Sequence, residues 1–224
     1  LTGDAPHPAQ RNAALEAYEY LIEKEKVPPS HIILAGDSAG GKFEFSPVFL
    51  RKESHNLTLL GHLAASVIHY MKDHPEIPRP GGTILISAWL DPSLENTLTS
   101  PFADIDYVYP GGSSAGAQYQ ARQFAGEGRD VADPEISLAR DKDLKGVPPH
   151  LCIYGKVEVL EEHSRKWIEN CKASGVDVIE YAPKGGIHIF PMGGFTADSR
   201  LEAESDEVVL NYIAKSVGFV EGSS

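Results

Sequence analysis

The chain has 224 residues, 42% of them hydrophobic and 23% charged, with a formal net charge of −12. That length and composition suit one globular domain with a buried core, and the acidic balance repels phosphate backbones, which argues against nucleic acid as a partner. Two cysteines, Cys152 and Cys171, provide neither a disulfide framework nor metal-ligand spacing, and no apolar stretch is long enough to span a membrane.

Helix and strand signals alternate along the chain. Residues 13–25 are rich in helix formers, with Ala14, Leu15, Tyr18, Leu21 and Ile22 at helical spacing, and Pro28-Pro29 ends the run. His31-Ile32-Ile33-Leu34-Ala35 reads as a buried strand ending at Gly36. Leu60, Leu63, Ala64, Val67, Ile68 and Met71 mark one face of a helix. Residues 83–87 form a second expected strand, 150–154 a third, 162–174 a helix closed by Gly175, 176–181 a fourth strand, and 201–217 a last helix. This alternation predicts an α/β fold, a mostly parallel sheet with helices on both faces. Residues 96–145 show weak periodicity and several aromatics, among them Phe102, Tyr107, Tyr109, Tyr119 and Phe124. A stretch of that length is either a cap or substrate-binding segment or a solvated insertion, and the sequence leaves both open. No internal repeat is present.

The first strand runs into Gly36-Asp37-Ser38-Ala39-Gly40, a G-x-S-x-G pattern in the strand–turn–helix setting that gives it chemical meaning. Such a turn projects the serine oxygen from the carboxyl end of the sheet, where open α/β folds bind ligands. Ser38 is the expected nucleophile, and the amide of Ala39 would face the developing oxyanion. A serine hydroxyl needs a base, and the base needs an acid to orient it. Glu158 lies in the loop after the third strand, and His188 lies in the Gly-rich loop after the fourth. Both are therefore at carboxyl strand ends, in the chain order serine, acid, histidine. Asp91, after the second strand, is a rival acid. Glu158 is preferred because its loop comes next before the histidine. Glu161 and Glu162 fit the solvated start of a helix. His150 precedes a strand and His163 lies within a helix, so both read as structural.

These residues resemble a known group. Gly36-Asp37-Ser38-Ala39-Gly40-Gly41, residues 155–160, and Gly186-Ile187-His188-Ile189-Phe190 look like the hormone-sensitive-lipase-like branch of the α/β-hydrolase fold. His7-Pro8-Ala9 and Ser87-Ala88-Trp89-Leu90-Asp91 resemble further segments of that branch. The resemblance implies a serine esterase of the carboxylesterase, lipase or deacetylase type. Ser38, Glu158 and His188 would be its triad, Glu158 standing where aspartate is common. It implies no metal or organic cofactor, and a small-molecule ester as the partner.

Two departures carry expectations of their own. The family places an oxyanion segment of His-Gly-Gly-Gly type, and several strands, ahead of the nucleophile strand. The sequence begins at Leu1 without them, so the resemblance implies an N-terminally incomplete domain whose localisation is open. It also implies a first strand at an open sheet edge and an incomplete oxyanion hole. One lost oxyanion donor costs roughly 3–4 kcal/mol, so weak activity or none is the expectation for this chain. Residues 42–55 form an atypical insertion between Gly41 and Asn56-Leu57-Thr58-Leu59-Leu60, which in the family follows the glycines closely within the helix. Removing the block restores the pattern, as a retained intron or displaced exon boundary would require. Two rival readings stand beside the esterase. One is a non-catalytic relative of the same fold, used for binding. The other is a nucleotide-binding loop read through Gly36 to Lys42, which lacks the hydroxyl residue expected at position 43.

Overall fold

A computed structural model of the protein describes residues 6–38, 56–108, 114–193 and 198–218, with 56–60 and 114 described as backbone. Ala39, Lys42, the block 42–55 and Tyr109 lie outside the described residues.

Helix α1 (Ala9–Glu23) leads through a short 3-10 turn, Pro29–His31, into strand β1 (Ile33–Asp37). Strand β2 (Asn56–Leu60) passes directly into helix α2 (Gly61–Met71), followed by β3 (Gly82–Ile86). Helix α3 (Ser114–Ala125) precedes β4 (His150–Ile153) and α4 (Glu161–Ala173), and the chain closes with β5 (Val178–Tyr181) and α5 (Ser199–Ser216). The five strands form one sheet in the order β2-β1-β3-β4-β5, every pair parallel.

The strand periodicity divides the core. Leu34, Leu85 and Cys152 point to the face packed by Tyr18 of α1, Val67, Ile68 and Met71 of α2, and Trp167 and Ile168 of α4. Ile33, Ile84, Ile86, Leu151 and Ile153 point to the other face, where Leu201, Val209 and Tyr212 of α5 cover them. Side chains of this size contribute about 1.5–3 kcal/mol each when fully buried, so the two layers dominate the stabilisation. Helix α5 is also tied by a polar contact, since the Tyr212 hydroxyl accepts from the Thr83 N–H at 3.1 Å.

Three expectations are corrected here. Asn56–Leu60 is a strand, not the start of the helix that Leu60 was expected to share with Leu63 and Met71. Its register pairs Ile33 with Asn56 and Asp37 with Leu60. As a consequence β1 is not an open edge: β2 covers one side and β3 the other. The first strand also starts two residues later than expected, because the prolines at 28 and 29 hold residues 29–31 in a 3-10 turn.

Segment 96–145 contains α3 and a 3-10 turn at Leu138–Arg140. Ala117 and Ala121 of α3 pack against Trp89, Leu94, Val159 and Leu160, which follow the carboxyl ends of β3 and β4. The described part of this segment therefore lies against the end of the sheet where Ser38 sits.

Candidate active site

Ser38 follows β1 directly and has a φ of 48°, left-handed backbone that costs a non-glycine residue of order 1–3 kcal/mol. Three backbone bonds hold it there. Its N–H donates to Ile86 O at 2.9 Å, and its carbonyl accepts from His62 N at 3.1 Å and Trp89 N at 3.3 Å. The turn is packed tightly from outside. A Cβ on Gly61 would lie 2.9 Å from the Asp37 carbonyl carbon and from Ser38 O.

Across 150 residues of chain, His188 Nε2 lies 2.8 Å from Ser38 Oγ. His188 is buried in the loop after β5, which is anchored by Phe190 in the core beneath α5. Glu158 is wholly buried in the loop after β4, and its Oε2 lies 4.0 Å from His188 Nδ1. The structure thus brings together Ser38, Glu158 and His188. It directs Asp91 elsewhere, to Arg140 at 3.2 Å and the Ser93 N–H at 3.1 Å. His150 lies between Pro148 O and the Trp167 indole, and His163 bonds Thr97.

The loops after β4 and β5 interlock through glycine. The Val157 N–H donates to Gly186 O at 2.9 Å, and the Gly155 N–H donates to Glu158 Oε2 at 3.1 Å. A Cβ at Gly155 would fall 2.1 Å from Gly186 O and 2.4 Å from its carbonyl carbon. Gly155→Ala must push the loops apart, so a destabilisation of about 3 kcal/mol is expected from overpacking. Equilibrium denaturation of the variant against the parent chain checks it.

Ser87, at the carboxyl end of β3, joins the same group. Its hydroxyl donates to Glu158 Oε2 at 2.8 Å and accepts from the Ile189 N–H at 3.0 Å. It shares the left-handed backbone of Ser38, with a φ of 44°. Sequence reasoning quoted Ser87 only as part of a strand end. Its place at the carboxyl end of a central strand was the available signal. Asp106 carries no signal in the sequence, and Tyr107 shows there only as one of the aromatics of segment 96–145, with no role assigned to it. The Tyr107 hydroxyl donates to His188 O at 3.1 Å, and the Val159 N–H donates to Asp106 Oδ2 at 2.7 Å.

Burial governs the electrostatics. It lowers the His188 pKa to about 3, which keeps the imidazole neutral and able to accept a proton. It raises Glu158 to about 8, outweighing the Ser87 and Gly155 hydrogen bonds that favour the carboxylate. His188 Nδ1 and Glu158 Oε1 have no hydrogen-bond partner among the described residues. A small approach of the two side chains would bring Nδ1 and Oε2 from 4.0 Å into charge-assisted hydrogen-bond range, about 2.7–2.9 Å.

The family described as alpha/beta hydrolase fold matches residues 61–192, which takes in Glu158 and His188 and begins after Ser38. An esterase of Acinetobacter venetianus is 27% identical over 179 residues, covering 80% of this chain and 50% of that protein. An acetyl-hydrolase of Streptomyces hygroscopicus is 27% identical over 175 residues, covering 78% and 50%. The chain therefore spans about half the length of the curated relatives it matches. Among solved structures, an esterase/lipase from an uncultured bacterium superposes with a TM-score of 0.71 at 25% identity, over 94% of this chain and 62% of its own. A hormone-sensitive lipase from a metagenome library has a TM-score of 0.74 at 24% identity, over 96% and 62%. The chain belongs to the alpha/beta hydrolase fold family and shares its fold with hormone-sensitive-lipase-like members.

Proposed function

We propose that the chain is a serine hydrolase that cleaves carboxylic esters through an acyl-enzyme. The observation that carries this reading is the 2.8 Å contact between Ser38 Oγ and a buried, neutral His188, on a serine held in left-handed backbone at a strand end. The names of the relatives, esterase and acetyl-hydrolase, support an ester or acetyl group as the substrate.

In this mechanism Ser38 Oγ attacks the ester carbonyl carbon as its proton passes to His188 Nε2. Glu158 acts as a carboxylate in this step, a form that burial disfavours but that the Ser87 and Gly155 hydrogen bonds and the positive imidazolium favour, and Nδ1–H closes on Oε2. The tetrahedral oxyanion takes the amide of Ala39, assigned from its place after the nucleophile, as a donor. Collapse breaks the bond to the alcohol, which leaves with the proton from His188 Nε2. Water then attacks the acyl-serine, giving its proton to His188, and the carboxylic acid departs as Ser38 recovers its hydrogen. Segment 96–145, packed at this end of the sheet, is the proposed cap over the substrate.

Short p-nitrophenyl esters test the reading, because a good leaving group demands least of the oxyanion hole. The expected result is slow but saturable hydrolysis that depends on His188. Turnover undiminished in His188→Ala would overturn the assignment.

A further inference from the structure

We propose that the adjacent residues Asp106 and Tyr107 form a clasp that sets the separation of Glu158 from His188, which makes both of them positioning residues for the reaction; this rests on the hydrolase reading above. The two side chains divide between the two catalytic loops. Asp106 is 2% exposed, and its Oδ2 accepts the N–H of Val159, the residue after Glu158, at 2.7 Å. Its other oxygen accepts the Val108 N–H at 3.0 Å, which turns the backbone beyond Tyr107. The Tyr107 hydroxyl donates to the carbonyl of His188 itself at 3.1 Å. The Tyr107 ring meets the imidazole edge-on, with centroids 5.8 Å apart and planes at 66°.

The clasp is itself braced. Ile105 and Asp106 both donate their N–H groups to Phe102 O, at 2.9 and 2.8 Å, closing the turn that presents the pair. Upstream, Thr97 Oγ1 lies 2.8 Å from His163 Nε2 on α4, which anchors the loop to the helix that begins just after Glu158. Asp106 thus ties the loop of Glu158 and Tyr107 the loop of His188, the two loops whose side chains stand 4.0 Å apart, Glu158 Oε2 to His188 Nδ1. Tyr107 meets the imidazole through its ring and holds the His188 backbone through its hydroxyl. It acts by holding that histidine.

The two loops keep other ties without the Tyr107 hydroxyl, namely Val157 N–H to Gly186 O and Ile189 N–H to Ser87 Oγ. Tyr107→Phe removes the hydroxyl's bond to His188 O, keeps the ring and is expected to spare the fold. The experiment compares the full chain with Tyr107→Phe and Asp106→Asn, using p-nitrophenyl acetate and a fluorophosphonate probe. A misplacement of reacting groups by 1 Å costs up to about a hundredfold in rate. Each variant is expected to lower kcat roughly tenfold with KM unchanged; the thermal midpoint stays nearly unchanged in Tyr107→Phe and falls in Asp106→Asn, whose amide nitrogen would face one of the two N–H donors. The rate of Ser38 labelling should fall with kcat. An unchanged kcat in Tyr107→Phe, or a loss that only follows the fraction of unfolded chain, would overturn the clasp. If Asp106→Asn does not fold, Tyr107→Phe decides alone. A parent chain that neither turns over ester nor labels at Ser38 overturns the hydrolase reading, and the clasp with it, before any clasp variant is compared.

Discussion

Replacing Ser38 with alanine is expected to take ester hydrolysis down to background, a fall in kcat of about 10⁴- to 10⁶-fold. The expectation follows from removing the atom proposed to attack. His188 would keep its buried place and neutral charge, yet it would have only water to activate. His188→Ala should cost about as much, and the double variant little more, because members of a triad act as one unit. Fold is preserved in Ser38→Ala, since the three bonds that hold the turn run through the backbone of residue 38. Kinetics on a short p-nitrophenyl ester, with circular dichroism to confirm folding, checks the prediction. Additive losses in the double variant would show that the two residues do not share one step.

The second large effect is a loss of stability in mild acid. Burial lowers His62, His150 and His163 to about 4, and His7 and His188 to about 3. For His150 the hydrogen bonds enforce the neutral form: Nδ1–H donates to Pro148 O at 2.8 Å, while Nε2 accepts from the Trp167 indole N–H at 2.9 Å. A proton on Nε2 would set donor against donor. Below the ordinary value of 6.5, the unfolded chain binds these five protons and the folded chain does not. The stability they contribute is complete above 6.5 and is lost as pH falls toward their folded values. Glu158, raised to about 8, Asp37, raised to about 6, and Asp106, also raised, oppose this, because the folded state retains their protons longer. Five histidines against three carboxyl groups leave a net uptake of protons on unfolding below pH 6.5, so stability falls as the pH drops from there. Urea midpoints measured from pH 7.5 to 5 should fall steadily, and a flat profile would contradict the prediction.

Much of this was legible in the residues. The runs around Ile33, Leu85 and Leu151 are apolar and bounded by Gly or Pro, so they announce buried parallel strands regardless of partners. Gly36 to Gly40 marks the turn because a serine between small residues at a strand end has few other uses. The structure brings Glu158 and His188 to Ser38 because each follows the carboxyl end of a strand of the same parallel sheet. Asn56–Leu60 was illegible for a physical reason. A short apolar run fits a strand or a helix equally well, and pairing with β1, far back in sequence, decides between them. Asp106 and Tyr107 sit in a loop without periodicity, and only tertiary contact gives them a place. Ala39, the proposed oxyanion donor, and the block 42–55 lie outside the described residues.

One measurement bears on the central claim most directly: reaction of the intact, folded chain with a fluorophosphonate, followed by mass-spectrometric mapping of the adduct. The account predicts a single phosphonyl group on Ser38, absent in Ser38→Ala and greatly slowed in His188→Ala. An unlabelled chain, or an adduct on another residue with Ser38 unmodified, would contradict it.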